Sequence, residues 1–224
     1  RNQNQAMATN DYLVPSPPLR RSLKERRLGE ILVVASAEGN ASKVAELLLQ
    51  GASLTAEDEV GSTALHQSAL NGHHAVAELI VKAGGNVHLQ NKDGRSAFHL
   101  ASMNGFESIV AILIEAGANI NQTDNEGMAA LSYIAMNGRH LIAKRLLEKG
   151  AEVDLVNKDG MTALFWAARF GRLTVAKLLL ERGADPGHKD VWGRSARELA
   201  SASSHAQVAS LLDAHSAAAM EEKI

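Results

Sequence analysis

The sequence predicts an all-α repeat solenoid of about six stacked units with β-hairpin loops between them. Two observations carry the prediction. The first is a glycine register. Gly61, Gly94, Gly127, Gly160 and Gly193 stand 33 residues apart, as do Gly39, Gly72, Gly105, Gly138 and Gly171, and Gly51, Gly84, Gly117, Gly150 and Gly183. These series hold 15 of the 18 glycines, and a fixed period of this length marks a stacked-repeat architecture. The second is the apolar pattern between the glycines. Val76, Leu79 and Ile80, then Ile109, Ile112 and Leu113, then Val175, Leu178 and Leu179 recur at i, i+3, i+4, one apolar stripe per helix. Asn157 to Lys189 shows the whole unit: a turn, a short helix, a tight reversal, a second helix and a Gly stop.

The elements follow in order. Residues 1–24 read as an extended or disordered N-terminal arm, because Pro15, Pro17 and Pro18 disfavour a helix there. Arg20, Arg21, Lys24, Arg26 and Arg27 form a basic cluster, readable as an import or docking signal or as a solvated lead-in to the first helix. The repeat domain covers 25–214, with units near 25–57, 58–90, 91–123, 124–156, 157–189 and 190–214, and residues 215–224 form a tail. The first and last units are degenerate, as caps facing water should be: Leu28 stands where a hairpin Gly would, and Ser204 where a reversal Gly would. Thr63, Ser96, Thr162 and Ser195 occupy the N-cap of each first helix, where a hydroxyl satisfies free backbone N–H groups. Ala129 holds that place in the fourth unit, which makes its helix start the weakest. The small pairs Ser68/Ala69, Ala101/Ser102 and Ala167/Ala168 let neighbouring first helices approach closely.

Composition narrows the function. Cysteine is absent, which removes disulfides, thiolate metal sites and a Cys nucleophile. A formal charge of −2 points to neither nucleic acid nor an anionic membrane. No apolar run reaches membrane-spanning length.

Two stretches carry a family resemblance. GSTALHQSALNGHHAVAELIVKAGGNVH (Gly61 to His88) and DGRSAFHLASMNGFESIVAILIEAGANIN (Asp93 to Asn121) resemble ankyrin repeats, whose usual pattern is D-x-x-G-x-T-P-L-H, A-A-x-x-G-H, L-L-x-x-G-A-D-V-N. The resemblance covers roughly residues 25–214. One departure is uniform: the Pro of the T-P-L-H turn is Ala64, Ala97, Ala130, Ala163 and Ala196 here, which removes only a preset φ. The resemblance implies hairpin tips and first helices lining a concave face that binds proteins.

Catalytic signatures are missing. His66 and His99 fall at the His of the T-x-L-H turn, where the ring ties the turn together. His73 and His74 are adjacent and cannot both face one ion from a helix. The remaining histidines show no ligand spacing. Neither a phosphate loop, nor H-E-x-x-H, nor G-x-S-x-G occurs. The chain therefore reads as a non-enzyme without cofactor or metal.

Partner contacts are sought at positions that vary between units. Met103, Met128, Met136, Met161, Arg169, Phe170, Trp192 and Arg194 form the expected partner-binding set, since interfaces enrich aromatics, Met and Arg. Phe165 and Trp166 are readable either as core or as part of this surface. The function expected is a protein-interaction adaptor, cytoplasmic or nuclear, acting as a monomer or within a hetero-complex. The alternatives are an assembly subunit of a larger complex and a regulatory domain of a multidomain protein. The resemblance also makes Asn121 a candidate for asparaginyl hydroxylation, with Leu113 and Ile120 at the favoured offsets, although Asn119 replaces the acidic residue often found there. The alternative is that the Asn121 amide bridges its own turn.

Overall fold

The computed structural model describes the backbone of residues 17–221 and the side chains of residues 22–217. Twelve helices follow in pairs over that span: α1 (Pro17–Ala37) with α2 (Ala41–Leu49), α3 (Ala64–Asn71) with α4 (His74–Lys82), α5 (Ala97–Asn104) with α6 (Glu107–Glu115), α7 (Ala130–Asn137) with α8 (His140–Glu148), α9 (Ala163–Arg169) with α10 (Leu173–Glu181), and α11 (Ala196–Ala202) with α12 (Ala206–Glu221). First helices pack on first helices in one row and second helices on second helices in another. The result is an all-α repeat stack of six helix pairs.

The two rows differ because their side chains differ. Ser68, Ala69, Ala101, Ser102, Ala135, Ala167, Ala168 and Ala200 are fully buried in the first row, and small residues allow close backbone approach. The second row is built from Ile80, Leu113, Leu146 and Leu179, all buried. Its helices stand further apart, so the first row lies on the inside of the curve. Helices α6 and α8 have the widest backbone spacing of the neighbours in the second row. They leave a groove of about 310 Å³ lined by Val110, Leu141, Ile142 and Arg145 on the outer side.

All fifteen periodic glycines have positive φ, from 66° to 89°, and the three outside the register do not. The requirement belongs to the backbone, since Ser204, which replaces the last reversal Gly, is the one non-Gly residue with positive φ among the described residues, at 63°. The reversal glycines meet a second demand. A Cβ on Gly72 would lie 2.5 Å from the Phe106 ring, and one on Gly105 2.7 Å from the Arg139 guanidinium. The residue that closes over each reversal stands 34 positions later, at His73, Phe106, Arg139, Arg172 and His205. Several of these side chains donate back to the preceding unit: Arg172 Nε to the Met136 carbonyl at 2.9 Å, and Arg139 to that of Asn104 at 3.4 Å. His73 Nε2 lies 2.9 Å from the Ala37 carbonyl.

Two expectations need correction. Helix α1 begins at Pro17, inside the segment read as extended. The first-turn N–H groups of a helix have no intrahelical partner, so prolines there cost nothing and their φ is already helical. Residues 1–16 lie outside the described residues, as do the side chains of Arg20 and Arg21. The Thr162 hydroxyl does not cap α9: it is buried without a hydrogen-bond partner. The working caps are reciprocal boxes. Thr63 pairs with His66 Nδ1 through both its N–H, at 3.2 Å, and its hydroxyl, at 2.9 Å, and Ser96 does the same with His99. Ser195 exchanges bonds with Glu198. The α9 residue at that third position is Phe165, which turns into the core, edge-on to His188 at 5.8 Å. Ala129 also makes no side-chain cap, so α7 and α9 both start unsupported.

Candidate interaction surface

Each hairpin is held by one Asp or Asn side chain, half-buried at Asp58 and Asn91 and buried at Asp124, Asn157 and Asp190. Asp58, Asn91, Asp124, Asn157 and Asp190 each place Oδ1 to accept from the backbone N–H groups two and four residues on, at 2.8 to 3.1 Å. The hairpins are then tied to one another. The carbonyls of Val60, Asp93, Glu126 and Asp159 accept from the N–H of Lys92, Asn125, Lys158 and Val191, each at 3.0 Å. Isolated antiparallel bridges close the hairpins before α3, α5 and α7. The hairpin backbone is thereby committed, and the tip side chains at Val60, Asp93, Glu126, Asp159 and Trp192 are left to face outward.

The residue two past each tip has a different fate. Ser62, Met128 and Met161 are 3%, 5% and 2% exposed. Met128 and Met161 therefore cannot offer a surface to a partner, contrary to the expectation from sequence. The position is a seam: Ser62 Oγ accepts from Asn91, Arg95 Nε reaches Asp124 Oδ2 at 3.4 Å, and Asn157 Nδ2 meets Met128 Sδ at 3.7 Å. Methionine fills that seam because its unbranched thioether adapts to an irregular gap. Arg194 takes another course. It folds back on Asp190, with Nε and a terminal nitrogen each 2.8 Å from Oδ2.

Met103 and Met136 are half-buried on α5 and α7, level with Leu70, which is exposed on α3. Arg169 follows at the same level on α9 and is exposed. Here the surface changes character. Trp166 and Phe170 stack, with ring centroids 6.3 Å apart and planes 19° apart. The Arg169 guanidinium lies over both rings, 5.9 and 6.0 Å from their centroids. Phe170 is 39% and Trp192 60% exposed. Arg194 covers the Trp192 ring at 4.6 Å. So Phe165 belongs to the core, Trp166 is half-buried against it, and Phe170, Arg169, Trp192 and Arg194 form two aromatic–arginine stacks, one at the end of α9 and one on the next hairpin. Packing guanidinium on aromatic faces is favourable by about 0.5–1 kcal/mol at exposed sites and leaves the edge N–H groups of Arg169 free, whereas Arg194 spends two of its nitrogens on Asp190.

The titratable groups on this side are structural. Burial lowers the pKa of His66 and of His99, opposed without prevailing by the bond to the Arg95 carbonyl at His66 and by the Asp124 charge at His99. Their Nδ1 atoms accept the cap N–H, and His66 Nε2 lies 3.1 Å from the Arg95 carbonyl, which fits a neutral ring with its proton on Nε2. Tyr133 is pushed up to about 12 by burial and by its 2.5 Å bond to Asp124. Burial would raise the pKa of Asp190, but the N–H groups and guanidinium of Arg194 outweigh it and hold the carboxyl below its ordinary value. Among the described residues no three His, Asp or Glu gather in a way that could hold a metal, and no helix is long and apolar enough to cross a membrane.

Asn121 does not bridge its own turn. Its Oδ1 accepts from the Glu152 N–H at 3.0 Å, and its Nδ2 donates to Glu152 Oε1 at 3.0 Å and to the Gly150 carbonyl at 3.4 Å. The side chain thus joins the third and fourth units, beside the widely spaced pair α6 and α8.

This architecture, paired helices in two rows with a turn carboxylate or amide bonded into each hairpin, defines a helical repeat protein whose exposed inner side chains are free to contact another molecule. The family model of ankyrin repeats in three copies matches residues 32–124 and 112–190; the chain belongs to the ankyrin repeat family. No curated protein matches it. Ankyrin repeats are in general protein–protein interaction modules, and the family is typically non-enzymatic.

Proposed function

We propose that this chain is a non-catalytic adaptor that binds a partner protein through the inner face of its stack, centred on α9 and the following hairpin. The observation that carries this reading is the pair of exposed aromatic–arginine stacks at Phe170/Arg169 and Trp192/Arg194. Backbone bonding consumes the hairpins, and the first-helix row buries its small residues in packing. The aromatic surface is therefore free for recognition, and buried aromatics and arginines supply most of the energy at interfaces. Leu70, Met103 and Met136 extend an apolar line towards α3 along the same face.

The test is substitution without unfolding. Phe170→Ala and Trp192→Ala should each weaken capture of the cellular partner by about 2 kcal/mol or more, roughly thirtyfold, with little change in melting temperature. If affinity holds while the melt collapses, the two rings are core and the reading fails.

A further inference from the structure

We infer that the partner segment seated on α9 and the 190–194 hairpin is acidic and carries an aromatic or branched aliphatic anchor. This deepens the proposed adaptor function and rests on it. Among the described residues Arg139, Arg169 and Arg172 have no carboxylate within ion-pair distance. Arg169 lies over two rings, and Arg139 and Arg172 each spend a guanidinium nitrogen on one carbonyl. Three arginines with open N–H edges thus follow one another along the row of reversals: Arg169 at the end of α9 beside Phe170, Arg172 over Gly138 before α8, and Arg139 over Gly105 before α6. Arg194 lies one hairpin further on, above Trp192.

At the other end of the face the charges are mixed: Glu57 and Glu59 flank the hairpin before α3, neither with a cation within ion-pair distance among the described residues, and Lys92 Nζ donates to the Glu59 carbonyl. A guanidinium flat on a ring presents its N–H edge outward, the geometry that takes a carboxylate in two parallel bonds. The rings of Phe170 and Trp192 supply the apolar contact that acidic residues alone would not use. Helix α9 spans seven residues, roughly 10 Å, so an extended segment of a few residues reaches from one stack to the other. A net charge of −2 over the whole chain gives a long phosphate backbone no extended positive track, which favours a short acidic peptide over a nucleic acid.

Both tryptophans lie in the site, so intrinsic fluorescence of the intact chain reports its occupancy. The probes are a short peptide alternating Glu with Phe, one alternating Lys with Phe, one alternating Glu with Ser, and an oligouridine. The Glu/Phe peptide should perturb the fluorescence and bind at least tenfold tighter than the others, less tightly as salt is raised. Arg169→Glu should cost it on the order of tenfold and strengthen the Lys/Phe peptide, with the melt unchanged because Arg169 is exposed. Tightest binding of the Lys/Phe peptide or of oligouridine overturns the inference. So does indifference of the Glu/Phe peptide to Arg169→Glu, or its failure to bind at all. In any of those cases, loss of partner capture by Phe170→Ala and Trp192→Ala would leave the adaptor reading standing with a partner of different chemistry.

Discussion

Three glycine-to-alanine substitutions separate two demands that the fold makes on the same residue. Gly72, Gly105 and Gly117 have nearly equal φ of 78°, 84° and 84°, so the left-handed strain of an alanine is the same at each, about 1 kcal/mol after the loss of unfolded-chain freedom is counted. Their surroundings differ. A Cβ at Gly117 meets nothing within 4 Å. At Gly105 it meets the far end of Arg139 at 2.7 Å, a flexible side chain that can swing away and lose only its long bond to the Asn104 carbonyl. At Gly72 it meets the Phe106 ring at 2.5 to 2.9 Å, and that ring packs against the core. Overpacking of that kind costs about 1–3 kcal/mol. The expected losses are therefore about 1 kcal/mol for Gly117→Ala, somewhat more for Gly105→Ala, and about 2–4 kcal/mol for Gly72→Ala. Urea unfolding followed by far-ultraviolet circular dichroism measures all three. Equal losses, or the largest at Gly117, would refute the claim that the i+34 side chain closes over each reversal.

Thr63→Ala should cost about 1 kcal/mol, because the Thr63 hydroxyl is engaged with His66, whereas Thr162→Ala should be neutral or slightly stabilising, because the Thr162 hydroxyl is buried without a partner; similar losses in paired melts would contradict this. Mild acid should destabilise the stack. The folded pKa values of His66 and His99 lie below the ordinary value of about 6.5, so the unfolded chain takes up protons first and stability falls as pH drops from there, by up to about 1.4 kcal/mol per pH unit for each ring. Asp190 acts in a lower window, since its depressed carboxyl pKa keeps its contribution until pH falls below the ordinary carboxylate range; a flat melting temperature between about pH 6.5 and 5 would rule out the histidine account. We further propose Asn121 as a hydroxylation target; an added oxygen on its peptide from cells with active hydroxylase supports this, its absence removes it, and Asn121→Ala should cost about 1–2 kcal/mol by opening the bridge to Gly150 and Glu152.

The 33-residue glycine step is legible in sequence because every unit must reverse twice and turn once, and only a residue without Cβ does so cheaply. The caps were half legible. A hydroxyl at the N-cap is visible at Thr162, but whether it bonds depends on the residue three places on, and Phe165 chose the core instead. The methionines misled for a related reason. Met128 and Met161 occupy hairpin positions in one unit, but the next unit covers them, so their burial depends on a neighbour 29 residues away. Arg194 at the same position folds back on its own Asp190 and stays exposed. The pairing of each reversal Gly with the side chain 34 positions on was present in the sequence as Gly39/His73, Gly72/Phe106, Gly105/Arg139, Gly138/Arg172 and Gly171/His205. It was hidden because three residue types, His, Phe and Arg, share the position.

Hydrogen–deuterium exchange of the chain alone and with its captured partner tests the central claim most directly. The account predicts added protection in 163–170 and 190–194, with the outer helices α6, α8 and α10 unchanged. Protection confined to the outer groove between α6 and α8, with 163–170 and 190–194 exchanging as before, would contradict it.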